Sequence, residues 1–338
     1  MPMTENHGAL PVDPLALPYS QMAEATLADN HPMHCDLCGG SDFAPISYQD
    51  RHGNPLSTVL CQGCGLVSHQ PVPNEEEVAE YYANAYRRDY HGESTPSNRR
   101  IMRAWKNGER ICSRLAPRLP PGSSLFEVGA GIGCTVKNFE LAGFAASGIE
   151  PNRDFNRFTR EELKAEVENR NLYDLGASPS YDTILLIHVI EHFSSPTRAL
   201  THLHGLIKEG GQLYIECPNL IGPFATYERM FHFAHIYNFT PQTLIALARK
   251  CGFELVHQFG DDSDPDIEML FRKVANGTLQ LDANHADQVA ARVRQYNTVT
   301  YHLRPHYLGK RLRKVGGYAL EAATANQFVA ELLQRFRN

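Results

Sequence analysis

The sequence predicts an α/β protein with a doubly wound parallel sheet, a small cysteine-containing ribbon before it and a helical extension after it. Three observations support this prediction. An apolar run of strand length, Leu125–Val128, leads through a glycine-rich turn into a helical pattern. Further short apolar runs alternate with helical patterns between residues 145 and 250. Two C-x-x-C-G sequences precede them, beginning at Cys35 and Cys61. Alternating strands and helices favour a parallel sheet that is covered on both faces.

Length and composition indicate an ordinary globular chain. Its 338 residues suffice for one large domain with appendages or for two domains, and 42% of them are hydrophobic. With 32 Lys+Arg against 38 Asp+Glu, the net charge of −6 gives no general attraction for nucleic acid. No apolar run approaches the roughly 20 residues of a membrane span, and the N-terminus has no signal-peptide pattern. We therefore expect a cytoplasmic location and no membrane anchor.

The first 72 residues divide into a flexible arm, 1–32, and a ribbon, 33–72. The arm holds five prolines and no hydrophobic periodicity, which is typical of a segment with little structure. In the ribbon twenty-two residues separate Cys38 from Cys61, a spacing typical of a four-thiolate zinc site. Four thiolates leave no open coordination position, so the expected zinc is structural. Its ligands would be Cys35, Cys38, Cys61 and Cys64. Four free cysteines or two disulfides are the alternatives.

Residues 73–118 read as a helical connector. Glu75–Glu77 form a plausible acidic first turn, which the positive end of a helix favours. Four tyrosines follow at near-helical spacing: Tyr81, Tyr82, Tyr86 and Tyr90. They indicate either an amphipathic helix that packs the ribbon against the main domain or an aromatic lid over a ligand site. Residues 97–115 then form the helix before the first strand of the main domain.

The glycine-rich turn predicts a nucleoside site. Gly129, Gly131 and Gly133 follow the first strand at alternate positions, and without Cβ atoms they let a ligand approach the main chain. The second strand, 145–149, ends in Glu150. A carboxylate at that strand end accepts hydrogen bonds from the two hydroxyls of a ribose.

The spacing of the turn is E-x-G-x-G-x-G from Glu127, which differs from the dinucleotide pattern G-x-G-x-x-G. It resembles motif I of class I S-adenosylmethionine-dependent methyltransferases, and the resemblance extends over about residues 100–275. The resemblance implies a Rossmann-like seven-stranded sheet in residues 119–275, with S-adenosylmethionine as cofactor. It also implies that the glycine turn passes under the methionine moiety and that Glu150 holds the ribose. The loop after the third strand would meet the adenine through Asn171 and Leu172, although the family often has Asp where Asn171 stands.

Residues 188–192, H-V-I-E-H, follow the predicted strand 181–187 and look like a signature of one branch of that family. If they continue as a helix, His188, Glu191 and His192 share one face. Three interpretations remain open. A histidine accepts a proton from the acceptor, imidazole and carboxylate hold a divalent metal, or the histidines pack against the cofactor without chemistry. His188 is the histidine that we place beside the cofactor.

The segment after the fifth strand, 219–238, is rich in aromatic residues and histidines. They are Phe224, Tyr227, Phe231, His232, Phe233, His235 and Tyr237. The resemblance implies that this insertion lines the acceptor pocket, so His235 joins His188 and His192 as a candidate catalytic residue. Thr240 and Pro241 then begin a helix as N-cap and first residue. Residues 253–256 and 267–273 would form a closing antiparallel pair of strands.

The tail, 276–338, is helical in pattern and lies outside the resemblance. Between residues 292 and 338 it holds nine basic and two acidic residues, a net charge of +7. This charge indicates either a solvated helix face or a surface that binds a phosphorylated acceptor such as a nucleotide sugar.

These observations together predict the transfer of a methyl group to an oxygen or carbon atom of a small-molecule acceptor. A saccharide or nucleotide sugar is favoured because the ribbon-plus-methyltransferase arrangement resembles proteins that modify such compounds. An RNA methyltransferase is a second hypothesis, although the acidic total and the lack of an N/D-P-P-Y/F segment oppose it. A non-catalytic binding protein with the same fold is a third. The glycine spacing opposes a fourth, a nicotinamide-dependent oxidoreductase.

Overall fold

The computed structural model of the chain describes residues 33–80, 96–222, 226, 229–295, 299, 301, 303 and 305–337. The predicted arm, 1–32, and the four tyrosines of the connector therefore lie outside the described residues, as do Phe224 and Tyr227 of the insertion. The described residues from His34 onward belong to one compact unit. The five-part division of the chain remains a prediction.

The secondary structure comprises the following elements, numbered in chain order. The strands are β1 (Phe43–Gln49), β2 (Pro55–Cys61), β3 (Val67–His69), β4 (Ser124–Val128), β5 (Ala145–Ile149), β6 (Val167–Glu168), β7 (Tyr181–Ile187), β8 (Ile207–Pro218), β9 (Tyr237–Asn238), β10 (Phe253–Phe259) and β11 (Asp266–Lys273). The helices are α1 (Glu75–Glu80), α2 (Asn98–Leu115), α3 (Cys134–Leu141), α4 (Arg153–Phe158), α5 (Pro196–Leu206), α6 (Pro241–Lys250), α7 (His285–Arg294) and α8 (Pro305–Gln334).

The seven-stranded sheet has the order β10-β11-β8-β7-β4-β5-β6. Strands β6, β5, β4, β7 and β8 are parallel, and β11 and β10 add to them in antiparallel fashion. Both faces of the central strands are covered, which is why β4 and β7 read as nearly continuous apolar runs. The predicted doubly wound sheet and its closing antiparallel pair are confirmed. Chain order reverses between β4 and β7, where α/β folds place ligands.

A second sheet of four antiparallel strands, in the order β1-β2-β3-β9, carries the cysteines. Its fourth strand comes from the insertion, because Val67 and Ser68 of β3 pair with Asn238 and Tyr237 of β9. The insertion therefore connects the ribbon to the main domain, which the sequence did not indicate.

The helices follow the predicted start signals. Thr240 caps α6, since its Oγ1 accepts a hydrogen bond from the N–H of Thr243 at 3.2 Å and Pro241 is the first helical residue. In the tail, α8 packs against α2 through Ala325, Val329 and Leu332, which belong to the same buried cluster as the residues of α2. None of the described helices has the length and apolar character that crossing a bilayer requires.

Candidate functional site

The four cysteines of the ribbon come together at one point. Their sulfurs all lie within 4.8 Å of one another, with 3.5 Å between Cys35 and Cys64 and between Cys38 and Cys61. The glycine after each pair, Gly39 and Gly65, has a left-handed backbone with φ of 75° and 80°. The predicted meeting of the two cysteine pairs is confirmed, and the arrangement fits a tetrahedral four-thiolate zinc site.

The glycine turn between β4 and α3 has a left-handed backbone at each of its three glycines. Gly129, Gly131 and Gly133 have φ of 71°, 55° and 72°. A Cβ on Gly129 would lie 2.7 Å from Val189, and one on Gly133 would lie 2.2 Å from Thr159. At Gly131 a Cβ would meet nothing within 4 Å. Two glycines thus allow close packing around the turn, and the third faces open space where a ligand can approach the main chain.

Two acidic side chains lie beside this turn. The carboxylate of Glu150, at the end of β5, accepts hydrogen bonds from the N–H groups of Gly131 at 2.8 Å and Asn152 at 2.7 Å. Glu127 is buried in β4, and its Oε2 has no hydrogen-bond partner among the described residues. Burial raises the pKa of Glu127 to about 8, and the nearby charge of Glu150 adds to the rise. A buried carboxyl oxygen without a partner next to an open turn fits a site for a cationic ligand, which would favour the ionised form of Glu127.

The loop after β6 closes another side of the same region. Leu172 is buried, and Asn171 precedes it as the N-cap of a 3-10 turn, where its side chain and that of Asp174 bond each other's main chain. Asn169 donates to the carbonyl of Glu150 at 2.8 Å. The contact of Asn171 and Leu172 with adenine stays a prediction. In this structure the amide of Asn171 supports the loop.

The H-V-I-E-H segment does not continue as the predicted helix. His188 has a left-handed backbone with φ of 53°, and only Ile190–His192 form a single 3-10 turn. The cause is that the N–H of His188 still pairs with the carbonyl of Glu216 in β8, at 2.7 Å, so the chain turns sharply as it leaves the sheet. The prediction that His188, Glu191 and His192 share one helical face is therefore wrong, although the sharp turn still brings their side chains together.

Glu191 is the centre of this convergence. Its Oε1 lies 3.6 Å from Nδ1 of His188, 3.8 Å from Nε2 of His192 and 3.9 Å from Nε2 of His235. The insertion thus contributes His235 to the cluster that the sequence placed in one segment. Partial burial acts to lower the pKa of His188, but Glu191 and Glu216 outweigh it and raise that pKa well above its ordinary value.

The histidines of this cluster are held by main-chain carbonyls and by each other. Nδ1 of His192 lies 2.6 Å from the carbonyl oxygen of Ala234. The rings of His232 and His235 lie 3.8 Å apart between centroids, and Nε2 of His69 in β3 lies 3.1 Å from the carbonyl oxygen of His232. The ribbon therefore supports the insertion that carries His235.

Sequence reasoning missed a charged network behind His188. Glu216 lies 3.5 Å from Nε2 of His188 and accepts a hydrogen bond from Arg110 at 2.6 Å. Arg110 also pairs with Glu268 at 2.7 Å, and the hydroxyl of Tyr214 donates to Glu216 at 2.9 Å. Burial acts to raise the pKa of Glu216, but His188 and Arg110 hold it at about 2. The sequence feature that could have indicated this network is Glu216, a carboxylate at the end of an otherwise apolar strand.

Comparison with protein families matches residues 98–258 to the family described as "Methyltransferase domain". The match runs from the start of α2 into β10 and contains the glycine turn, Glu150 and the H-V-I-E-H segment. Residues 98–258 are therefore similar to methyltransferase domains. The prediction from the glycine spacing is thereby confirmed.

Relatives of the methyltransferase domain are distant. An uncharacterized methyltransferase of Alkaliphilus oremlandii is 26% identical over 92 residues, which are 26% of this chain and 43% of that protein. An uncharacterized protein of Mycobacterium tuberculosis is 28% identical over 116 residues, which are 32% of this chain and 40% of that protein. The chain thus spans about two fifths of the length of these relatives.

Solved structures of methyltransferases also align with the chain. The 1,6-didemethyltoxoflavin-N1-methyltransferase of Burkholderia thailandensis has 15% identity and a TM-score of 0.47, over 68% of this chain and 99% of that one. The magnesium protoporphyrin IX methyltransferase of Synechocystis has 16% identity and a TM-score of 0.42, over 58% of this chain and 95% of that one.

The ribbon contacts the methyltransferase domain through Asp36, which lies between two of the cysteines. Its carboxylate accepts hydrogen bonds from the hydroxyl of Ser195 at 2.5 Å and from the N–H of Thr197 at 2.8 Å, at the N-terminus of α5. Its carbonyl accepts from Nζ of Lys250 at 2.6 Å. Because α5 begins four residues after His192, the cysteine site supports the loop that presents the histidines.

Proposed function

We propose that this chain binds S-adenosylmethionine at the glycine turn and methylates a small-molecule acceptor held over the H-V-I-E-H segment. The observation that carries the proposal is the left-handed turn, open at Gly131 and bordered by Glu127 and Glu150, inside a methyltransferase domain. A glycine turn that is packed on two sides and open on the third fits close approach of a ligand to main chain.

The residues around the turn fit this cofactor. Glu150 would receive the ribose hydroxyls, and Leu172 offers an apolar surface for the adenine. The unpartnered oxygen of Glu127 favours positive charge nearby. When bound, the cofactor supplies an electrophilic methyl group on a sulfonium whose leaving group is neutral. The chain therefore has to position the acceptor and exclude water rather than generate a strong nucleophile.

The acceptor half of the proposed site centres on His188. Its side chain is 42% exposed, whereas those of His192 and His235 are 15% and 17% exposed. We therefore assign contact with the acceptor to His188 and leave His192 and His235 behind it. Glu216 and Arg110 hold the imidazole of His188 in place from the sheet side.

The acceptor that we propose is a saccharide or a nucleotide sugar. The basic tail supports a phosphorylated form, because residues 292–338 carry a net charge of +7 in a chain whose total is −6. We further propose that the four cysteines hold a structural zinc and that the protein works in the cytoplasm, where thiols stay reduced.

Calorimetric titration with S-adenosylmethionine tests the cofactor, with NADH as the competing ligand. Gly131→Val is the test variant, since its side chain enters the open space beside the turn. Gly143→Val is the matched control, because Gly143 also has a left-handed backbone, with φ of 89°, and nothing within 4 Å of its Cβ position. Both variants carry similar backbone strain, so only the site distinguishes them.

We expect S-adenosylmethionine to bind one site per chain in the wild type and in Gly143→Val, and to lose binding in Gly131→Val. Equal binding by both variants would place the cofactor elsewhere. Binding of NADH in its place would make the protein an oxidoreductase. If the cofactor binds, release of S-adenosylhomocysteine then identifies the acceptor from a panel of free sugars, nucleotide sugars and RNA.

A further inference from the structure

The Glu-His-His cluster, Glu191, His192 and His235, offers three ligand atoms to a common point. One carboxylate oxygen and two imidazole nitrogens lie within 4.8 Å of one another. The cluster joins two segments, since Glu191 and His192 follow β7 and His235 precedes β9. Among the described residues it is one of two groups of this kind, and the other is the four-cysteine site.

Glu191 lacks the partners that its burial requires. Its side chain is 1% exposed, and neither carboxylate oxygen has a hydrogen-bond partner among the described residues. Protonated His188 can form an ion pair with this carboxylate, but its Nδ1 is 3.6 Å away, which is beyond hydrogen-bond distance. A buried carboxylate without donors is costly unless a cation compensates it.

The ring of His192 has the orientation of a metal ligand. Its Nδ1 lies 2.6 Å from the carbonyl oxygen of Ala234, and a carbonyl oxygen only accepts hydrogen bonds. Nδ1 of His192 therefore carries the hydrogen, and in the neutral ring Nε2 turns a lone pair toward the carboxylate of Glu191 at 3.8 Å. The interaction between this lone pair and the carboxylate is repulsive unless a cation lies between them. An imidazole whose second nitrogen donates to a carbonyl is the usual arrangement at metal sites.

We propose that Glu191, His192 and His235 bind a divalent transition-metal ion, separate from the zinc of the four cysteines. Two imidazoles and one carboxylate suit Zn²⁺, Co²⁺, Mn²⁺ or Fe²⁺ and leave coordination positions open. His188 is not a ligand in this proposal, because its Nε2 is directed to Glu216 at 3.5 Å.

The open positions of this ion suggest which acceptors the site takes. This step rests on the proposed function. The cluster adjoins the exposed ring of His188, so an acceptor that contacts His188 could place an oxygen on the ion. Acceptors with a hydroxyl, keto or carboxylate oxygen next to the methylated atom would bind best, and binding to the ion would favour the deprotonated form of a hydroxyl.

Titration of the full-length zinc-loaded protein with Co²⁺ tests the site, because cobalt has a visible spectrum that differs between thiolate and nitrogen–oxygen ligands. Test variants are Glu191→Gln, which keeps the shape of the side chain, and His235→Gln. The control is His204→Gln, which changes another half-buried histidine, bonded to the carbonyl of Val274 at 2.9 Å and outside the cluster.

We expect Co²⁺ to bind the wild type and His204→Gln without thiolate-to-cobalt charge-transfer bands, and to lose binding in both test variants. Total metal should fall from about two ions per chain to about one. Unchanged Co²⁺ binding in Glu191→Gln, or a thiolate spectrum, would overturn the proposal.

A parallel titration with S-adenosylmethionine separates the two proposals. Cobalt binding that depends on Glu191, without cofactor binding, would preserve the metal site and reject the proposed function. Cofactor binding without this cobalt site would preserve the proposed function and reject the metal site.

Discussion

The proposed cofactor half and the proposed acceptor half of the site are built in different ways. The cofactor half lies almost within residues 127–150, where the strand, the glycine turn and Glu150 are close in sequence and meet through local main-chain geometry. The acceptor half combines His188 from the end of β7, Glu216 from β8 and His235 from the insertion. It also depends on the ribbon, through Asp36 and β9.

The two halves therefore differ in how readily they accept amino-acid substitutions. Left-handed glycines allow few substitutions, so the cofactor half is confined to one pattern. The acceptor half is held by side-chain contacts between distant segments, and each can be altered with the sheet intact. We therefore expect variants in the two halves to affect different measurements.

The largest effect is expected for His188→Gln. If His188 positions the acceptor, turnover should fall by about 100-fold, because small misplacement of reacting groups is that costly. The dissociation constant for S-adenosylmethionine should change by less than about threefold, since the glycine turn is untouched. Initial rates of S-adenosylhomocysteine release and calorimetry measure the two quantities.

His257→Gln is the control for that experiment, because His257 is exposed in β10 and outside the cluster. Equal losses of turnover and cofactor affinity in His188→Gln would show that the two halves are not separate.

An intermediate effect is expected for Asp36→Ala in the ribbon. The change removes the acceptor for the hydroxyl of Ser195 and for the N–H of Thr197, so the first turn of α5 loses a cap. We expect the free energy of unfolding to fall by about 1–2 kcal/mol, measured by urea denaturation.

Asp42→Ala is the matched ribbon control. Asp42 is exposed, and its side chain accepts a hydrogen bond from Gln62. This variant should lie within about 0.5 kcal/mol of the wild type. A rise in the acceptor KM of Asp36→Ala alone would connect the ribbon to the acceptor half. An identical acceptor KM in the two variants would show that the ribbon is not connected to the acceptor half.

The smallest effect is the pH dependence of cofactor binding through Glu127. Its pKa rises from the ordinary 4.5 to about 8, so the side chain is mostly protonated at pH 6 and ionises as the pH rises toward 8. A cationic cofactor favours the ionised form, so its affinity should increase over this interval, by at most about tenfold per pH unit. Glu127→Gln should remove the increase. The amino group of the cofactor titrates equally in both proteins, so their difference isolates Glu127.

Stability should show the opposite sign for the same group. Because the folded-state pKa of Glu127 is raised, its contribution is fully present below pH 4.5 and is lost as the pH rises to about 8. The unfolding free energy of the wild type relative to Glu127→Gln should therefore fall over that interval. A flat difference would show that Glu127 titrates normally.

Local signals predicted several features of local geometry. The strand-turn-helix order around Gly129–Gly133, the position of Glu150 at a strand end and the N-cap at Thr240 each depend on neighbouring residues, and the structure has them as predicted. The helix expected at His188–His192 is wrong because a main-chain bond to Glu216, from a strand later in the chain, bends the segment. Periodicity alone contains no information about that bond.

The sequence by itself determined the sheet, the glycine turn and the two cysteine pairs, because hydrophobic period, glycine φ and ligand spacing act over a few residues. Only the tertiary structure decided that the insertion completes the ribbon sheet through β9 and brings His235 to Glu191. It also placed Arg110 against Glu216. These contacts join residues far apart in the chain, and their geometry depends on how whole elements pack.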